Sequence, residues 1–451
     1  MDQMASSNEP GASVADQLSG VLRTIDLRGR SGDLAALLPT PAIVDDEVAA
    51  RVVEEILQDV KLRGDAAVLD ATERFDKVRP SSLRVDPSRV AAALEEIPGA
   101  LRYALEVAAD NIAGYHRSQL EHDRVYERDG VTVKEMVRPV GRAGLYVPGG
   151  LAPLASSVLM TAVPARVAGV GELAVCSPPG PDGHIAASVL AAAAVAGVDE
   201  VYSVGGAQAI AALAYGTETV PAVDVIVGPG NRYVAIAERL VAGQGAVGVP
   251  SAFTGPSEVA VVADETTDPR YAAVDLVVQA EHGPDGLSYL ITWVPEVAEA
   301  IAAHVARITS ESPRRQAIEA TFSRGGFCVL VDGPDQAVRV ANVIAAEHLE
   351  LMTADARLLA ESVTSAGAVF VGPWSPASVG DYAAGPNHVL PTARSARFSS
   401  ALRVSDFTKH IHVIEVTRAG LERLAAPVEA LAVSEGLEAH ALSVTMRTAS
   451  S

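Results

Sequence analysis

A regular alternation of short apolar segments and alanine-rich segments begins near Gly144 and constrains the fold more than any other feature. Four β-branched runs that end in glycine or proline are each followed by a helical pattern: LYVPGG, ELAVCSPP, EVYSVGG and AVDVIVGPG. After EVAVVADE the rhythm resumes in SYLITWV, FCVLVDG, LELMTA and AVFVGPW. Strands that alternate with helices predict parallel sheets with helices on both faces. Open sheets of this kind bind ligands at the carboxyl ends of their strands.

The alternation predicts an α/β protein with two lobes. One lobe comprises residues 146–256, and a discontinuous lobe combines residues 31–145 with residues 257–400. Residues 1–30 read as an N-terminal extension and arm. Residues 401–451 contain one strand pattern and two helical patterns, which are too small to fold alone. The C-terminal segment is therefore expected to dock elsewhere.

Charge and cysteine content exclude several classes of partner. The 451 residues include 35 Lys and Arg against 56 Asp and Glu, a net charge of -21, which argues against nucleic acid and anionic membranes. An anionic cofactor is still allowed, because a helix N-terminus binds phosphate locally. The longest apolar run, 185–198, is too short to span a bilayer. Two cysteines imply no disulfide framework, and the N-terminus lacks a signal-peptide pattern, so we expect a cytoplasmic protein.

The segment DPRYAAVDLVVQAEHGPDG predicts a helix that begins at Asp268 and ends before Gly283. Gln279 and His282 lie three residues apart, so both project from the same side of its last turn. Such a pair can clamp a divalent metal. The alternative is a histidine that only satisfies the dipole at a helix C-terminus.

Glu347 and His348 follow the helical pattern PDQAVRVANVIAA and precede a strand pattern. A helix end that holds both side chains rigidly suits a base and a water-activating carboxylate. The alternative is a surface pair. Two further polar stretches hold Asp381 with His388 in a Gly/Pro-rich segment, and Glu435 with His440 near the chain end. The first can be an ordinary turn, and the second a helix start with an exposed histidine.

These four stretches can supply two oxygen and two nitrogen ligands to one metal: Gln279, Asp381, His282 and His440. A mixed set of this kind suits Zn²⁺ with positions left open, unlike a closed structural site. The ligands are dispersed along the chain, so their spacing does not establish the site.

Several long motifs between Leu27 and Arg447 occur together. They are GRAGLYVPGG, SVGGAQAIAALAYGT, DVIVGPGN, GPSEVAVVAD, QAEHGPDG, AAEHLELM, VGDYAAGPNHVLPT and SEGLEAH. With these motifs the chain resembles the histidinol dehydrogenase family. The resemblance implies two incomplete Rossmann-like parallel-sheet lobes, with small N- and C-terminal segments that dock across a dimer. VGPGNRYVA lacks the full G-x-G-x-x-G pattern, so NAD is expected to bind differently from the usual Rossmann mode.

The resemblance also implies roles for individual residues. Glu347 and His348 match the family's catalytic pair, and the zinc ligands match Gln279, His282, Asp381 and His440. The substrate-contacting set comprises those four ligands and His348, together with Ser257, His388 and Glu435. Positions that hold NAD match Tyr146, Gln208 and Asn231, each near a strand end.

The implied reaction is the oxidation of L-histidinol to L-histidine through L-histidinal, with two NAD⁺ reduced. Zinc holds the substrate, His348 takes the alcohol proton, and Glu347 activates water for attack on the aldehyde. The family implies a homodimer in which the C-terminal segment crosses to the partner and completes its site. Two other functions stay open at this point: an aldehyde dehydrogenase with a nucleophile at Cys176 or Cys328, and a non-enzymatic zinc-binding protein.

Overall fold

The computed structural model describes residues 17–18, 21–39, 47–149, 153–198, 200–250, 255–281, 283 and 285–449. The helices are α1 (Glu47–Arg63), α2 (Asp65–Asp76), α3 (Pro87–Glu96), α4 (Gly99–Arg117), α5 (Ala155–Ala168), α6 (Ala187–Val195), α7 (Gly206–Tyr215), α8 (Arg232–Gly243), α9 (Pro269–Ala280), α10 (Pro295–Glu311), α11 (Arg315–Gly325), α12 (Pro334–Ile344), α13 (Ala356–Ala360), α14 (Ala377–Tyr382), α15 (Arg418–Ser434) and α16 (Glu438–Thr448). The strands are β1 (Gln17–Leu18), β2 (Leu22–Asp26), β3 (Arg124–Arg128), β4 (Val131–Pro139), β5 (Arg142–Tyr146), β6 (Glu172–Ser177), β7 (Glu200–Ser203), β8 (Val225–Val227), β9 (Glu258–Ala263), β10 (Leu287–Thr292), β11 (Gly326–Leu330), β12 (His348–Met352), β13 (Ala368–Val371) and β14 (Thr408–Val416).

Two of the three sheets share one strand order. The four-stranded sheet runs β7-β6-β5-β8 and is parallel throughout. The seven-stranded sheet runs β1-β2-β11-β10-β9-β12-β13, and only β1 is antiparallel to its neighbour. Strands β5 to β8 of the smaller sheet and strands β9 to β12 of the larger one therefore each stand in the order 3-2-1-4, the Rossmann arrangement. This confirms the predicted α/β fold with two Rossmann-like lobes.

Both parallel sheets are covered on two faces, which explains why their strands are continuously apolar. Alternate residues of β5 enter different hydrophobic clusters: Leu145 faces one and Tyr146 the other. In β9, Ala260 and Val261 divide in the same way between the two clusters of the larger sheet. Every strand predicted from the alternation is present in the structure.

Helices α1–α4 pack on the helices that cover the four-stranded sheet. Val53 and Leu57 of α1 share a hydrophobic cluster with Ile210 of α7, and Ile112 of α4 joins the cluster on the opposite face. The sequence-based division groups residues 31–145 with the other lobe. The packing favours grouping these helices with the four-stranded sheet, and the remaining domain boundaries stay a prediction.

The C-terminal segment combines an antiparallel strand with a helical hairpin. Strand β14 joins β4 and β3 in a small sheet with the order β14-β4-β3. Helices α15 and α16 pack against each other. Large apolar side chains on the hairpin are exposed, among them Leu431, Val433 and Met446. None of the helices in the described parts of the chain has the length and apolar character needed to cross a membrane.

Candidate active site

The candidate site begins where β9 and β12 lie side by side. It is at the amino edge of the seven-stranded sheet, meaning the side on which its parallel strands begin. Glu347 immediately precedes β12, and His348 is its first residue, opposite Val259 of β9 and Ala368 of β13. The helix before this pair ends at Ile344, two residues before the end of the predicted pattern at Ala346. The pair is therefore held by the start of a buried strand rather than by a helix end.

Four groups surround the buried imidazole of His348. Its Nδ1 atom lies 3.3 Å from Gln279 Nε2 and 3.3 Å from the carbonyl oxygen of Glu258. Its Nε2 atom lies 3.0 Å from Asp381 Oδ1. The ring of Phe370 stacks on it, with 5.8 Å between ring centroids. The ring is thus fixed in place and paired with a carboxylate on its Nε2 side.

Burial and neighbouring charges shift the pKa values of three groups at the site. Burial raises the pKa of Glu347 to about 7. Burial, reinforced by Glu347, raises the pKa of Glu258 to about 8. For His348 burial alone lowers the pKa, but Glu347 and Asp381 outweigh it and raise the pKa to about 9. The two acids, whose pKa values are raised towards neutrality, can exchange protons during a reaction.

Asp381 and His388, both predicted site residues, are brought together by the short helix α14 and the loop after it. His388 Nδ1 lies 2.8 Å from the carbonyl oxygen of Asp381. Its Nε2 atom lies 3.3 Å from Ser157 Oγ, on α5 of the other lobe. His388 therefore connects the two lobes at the edge of the site.

The remaining residues predicted to contact substrate or metal do not all lie beside His348. Ser257 is half-buried and directly precedes Glu258. Glu435 and His440 are exposed on the α15–α16 hairpin. His282 lies outside the described residues. In the described parts of the chain, no group of three or more His, Cys, Asp or Glu side chains is arranged to hold a metal.

Two of the four predicted zinc ligands nevertheless fit a metal. Gln279 and Asp381 flank His348 on opposite sides, and they offer an amide oxygen and a carboxylate. Oxygen donors beside an imidazole belong to the mixed set that zinc accepts in open, catalytic sites.

The predicted NAD contacts lie at the carboxyl ends of strands in the four-stranded sheet. The hydroxyl of Tyr146 accepts a hydrogen bond of 3.1 Å from the Gly206 amide. Gln208, in the first turn of α7, is 1% exposed, and its Nε2 has no hydrogen-bond partner among the described residues. Asn231 caps α8 by accepting bonds from Tyr233 and Val234. A buried, unpaired amide beside a helix N-terminus fits a polar ligand such as a dinucleotide.

Three acidic residues at the site were not predicted. Glu258 donates its backbone N–H to Glu347 Oε2 at 3.1 Å, and its own Oε2 has no partner in the described parts of the chain. Glu350 and Asp275 lie buried behind His348. A sequence signal was present, since each is a charged residue inside an otherwise apolar strand or helix pattern.

Neither cysteine is suited to be a nucleophile. Cys176 and Cys328 are both fully buried. Burial raises the pKa of the Cys328 thiol to about 12 and that of Cys176 further still. A nucleophilic cysteine needs a lowered pKa and access to substrate. This removes the basis for a cysteine-dependent aldehyde dehydrogenase.

Two Rossmann-ordered lobes with a buried carboxylate and imidazole at the start of β12 define a two-lobed, dehydrogenase-like α/β protein. The model of the histidinol dehydrogenase family matches residues 41–448. A histidinol dehydrogenase from Synechococcus sp. is 47% identical over 408 residues, which cover 89% of this chain and 93% of the relative. One from Ralstonia nicotianae is 48% identical over 413 residues, covering 89% and 92%. The crystal structure of histidinol dehydrogenase from Elizabethkingia anophelis matches with a TM-score of 0.89 at 34% identity, covering 94% of this chain and 98% of that one.

The chain belongs to the histidinol dehydrogenase family. Members of this family are NAD-dependent oxidoreductases of histidine biosynthesis. Membership confirms the activity expected from the sequence and excludes a non-enzymatic zinc-binding protein.

Proposed function

We propose that L-histidinol is oxidised beside His348, with Glu347 and His348 as the catalytic pair. The observation that carries the assignment is the buried imidazole, which has a carboxylate 3.0 Å from Nε2 and another 3.7 Å from Nδ1. Both carboxylates stabilise the imidazolium that forms when His348 takes the alcohol proton.

Glu347 has a second task in the proposal. Its pKa of about 7 lets the carboxyl group accept a proton from water near neutral pH and release it again. Water attacks the aldehyde, and His348 then acts as the base for oxidation of the hydrate. Tyr146, Gln208 and Asn231 hold NAD on the other lobe. Ser257, His388 and Glu435 contact histidinol.

Zinc belongs to this proposal as a group that orients and polarises the substrate, since it has no redox chemistry. The residues that would hold it are Gln279, His282, Asp381 and His440. The Gln279 amide is oriented towards the site by its contact with His348, and Asp381 reaches the site from α14.

The activity is tested by following NADH absorbance with histidinol as substrate. Two NADH are expected for each histidine formed. Metal content is tested by measuring bound zinc, for which one atom per chain is expected. His282→Asn should lose most of the zinc and most of the activity. Full activity in thoroughly demetallated protein would overturn the zinc assignment.

The exposed hairpin supports the last part of the proposal, a homodimer with shared sites. His440 and Glu435 are exposed on α15–α16, while Gln279 and Asp381 lie beside the buried His348. Exposed apolar side chains on the hairpin suit an interface with a second copy. His440 then completes the zinc site of the partner.

The crossing is tested by refolding a mixture of two inactive variants, His348→Asn and His440→Asn. In a mixed dimer with crossed tails, one site collects both defects and the other collects none. Random pairing makes about half of the dimers mixed, so about a quarter of wild-type activity should return. No recovery, with mixed dimers confirmed to have formed, would rule the crossing out.

A further inference from the structure

A second set of polar groups lies directly behind the candidate site, on the same structural elements. Asp275 precedes Gln279 by one turn of α9, so the two side chains share a face of the helix. Glu350 follows His348 by two residues on β12, so these two share a face of the sheet. Asp275 is 6% exposed and Glu350 is 1% exposed.

The two carboxyl groups form a hydrogen bond with each other, which requires a proton between them. Glu350 Oε1 accepts a bond of 3.0 Å from the Ala377 amide. Its Oε2 accepts no hydrogen bond from the described N–H and O–H groups. Burial, reinforced by Asp275, raises the pKa of Glu350 to about 9, and burial also raises the pKa of Asp275.

The contact with Ala377 extends the link to a third element. Ala377 is the first residue of α14, and Asp381 follows one helical turn later. A helix of six residues is not stable in isolation, so its placement depends on contacts such as this one. The pair thus joins the elements that carry Gln279, His348 and Asp381.

We propose that the buried residues Asp275 and Glu350 are positioning residues that hold α9, β12 and α14 in the arrangement that the zinc and substrate site requires. The inference rests on the proposed function for its link to zinc. In this proposal neither Asp275 nor Glu350 contacts the substrate. They act through Gln279 and Asp381, as outer partners of metal ligands do.

The test compares two replacements of Glu350. Glu350→Gln keeps an oxygen for Ala377 and offers an N–H to Asp275, so it replaces the shared proton. Glu350→Leu keeps most of the volume and removes both bonds. Zinc retention is measured by competition with a chelator, and kcat and KM are measured separately. The Leu variant should hold zinc about 10–100-fold less tightly with a lower kcat and an unchanged KM for NAD, whereas the Gln variant should stay within about threefold of wild type.

Hydrogen exchange in the metal-free protein gives a readout that does not depend on zinc. Amides 377–383 should exchange faster in Glu350→Leu and at the wild-type rate in Glu350→Gln. If the wild-type protein bound no zinc, the proposed function would fail, and the exchange rates would still decide the positioning role. Should Glu350→Leu not fold, Asp275→Ala removes the bond to Glu350 but not the one from Ala377, and it should speed exchange in α14 to a smaller extent.

Asp406→Asn is the matched control. Asp406 is another acid whose pKa is raised by burial, and it accepts a bond of 2.7 Å from the Arg403 amide, away from the candidate site. Its replacement should leave zinc retention and exchange in α14 unchanged. The proposal is overturned if a folded Glu350→Leu retains zinc and α14 protection as wild type does. It is also overturned if Glu350→Gln loses as much as the Leu variant.

Discussion

The amino edges of the two parallel sheets are built alike and charged differently. In each sheet an acid precedes the fourth strand and accepts a backbone N–H from the start of the first strand. Asp224 accepts from Arg142 at 3.0 Å, and Glu347 accepts from Glu258 at 3.1 Å. The first strand thus begins with a cation in one lobe and with an acid in the other.

We call the amino edge of the four-stranded sheet the structural edge. The amino edge of the seven-stranded sheet, which carries the proposed catalytic pair, is the reactive edge. Arg142 pairs with Glu172 at 2.7 Å and also with Glu200, and its hydrogen bond lowers the pKa of Glu200. At the other edge no Arg or Lys in the described parts of the chain forms an ion pair with Glu258, and burial, which outweighs the neighbouring His348, raises the pKa of Glu258 and that of Glu347. An acid paired with arginine stays ionised and stabilises the fold, whereas buried acids without such a partner hold protons near neutral pH that chemistry can use.

The largest effect is expected at the histidine of the reactive edge. His348→Asn should slow both oxidation stages by about 10²–10⁴-fold, because both need a general base. Rates with histidinol and with histidinal check it, with zinc content measured as a control. A variant that keeps near-normal rates in either stage contradicts a base shared by the two stages.

At the structural edge the expected loss is in stability. Arg142→Met removes the closer of the two arginines beside the mostly buried Glu200 and leaves only Arg84, at 4.0 Å, so the free energy of unfolding should fall by about 3 kcal/mol. The folded variant should keep its kcat. Denaturant unfolding and steady-state rates measure the two quantities. A large fall in kcat without a fall in stability would erase the contrast between the edges.

Glu347→Gln separates the two stages of the reaction. Only the aldehyde stage consumes water, so acid formation should slow about 10–100-fold more than alcohol oxidation. Accumulation of histidinal during turnover is the direct measurement. Equal losses in both stages argue that Glu347 serves His348 rather than water.

The smallest effect expected is on the pH dependence of the free energy of unfolding. Replacing an acid at the reactive edge and at the structural edge should change it with opposite signs. Glu258 has a folded pKa of about 8 and an unfolded pKa of about 4, so wild-type stability falls as pH rises through that window. Glu258→Gln should therefore gain stability relative to wild type between about pH 4 and 8, by at least about 1.4 kcal/mol. The gain should level off above that window.

Glu200→Gln is the counterpart at the structural edge. Its folded pKa is lowered by Arg142, so Glu200 contributes stability above its unfolded pKa, and that contribution is lost as pH falls through the folded pKa. The variant should be less stable than wild type at neutral pH, with a deficit that shrinks below about pH 4. Unfolding by urea across this range measures both variants. If the two variants differed from wild type in stability in the same direction, the assigned charge states would be contradicted.

The sequence predicted the strands well because both faces of each sheet are covered, which makes every strand an apolar run. The alternation did not reveal which edge of a sheet forms the site. Carboxyl ends were expected to bind ligands, and the NAD candidates Tyr146 and Gln208 do lie there. Glu347 and His348 lie at an amino edge, because the position of the site depends on how the lobes and α14 pack, and no local pattern encodes that.

Two further features lay beyond local patterns. Helix α14 is only six residues long and lies in a Gly/Pro-rich segment, so periodicity could not predict it. The partnership of Asp275 with Glu350 joins residues far apart in the chain. Each was visible only as a charge in an apolar run, and the contact that explains both appears only in the folded chain.

Gly228 shows how one close approach restricts the mutations that the chain can accept. A Cβ atom at this residue would lie 2.1 Å from the carbonyl oxygen of Tyr146, and its φ of +133° disfavours other residues as well. Gly197, with nothing within 4 Å of its Cβ position, lacks the first constraint. In a lineage under selection, every missense change at Gly228 forces the ends of β5 and β8 apart, whatever side chain it introduces. Position 228 is therefore expected to remain glycine, whereas the surface residues around Gly197 are expected to vary.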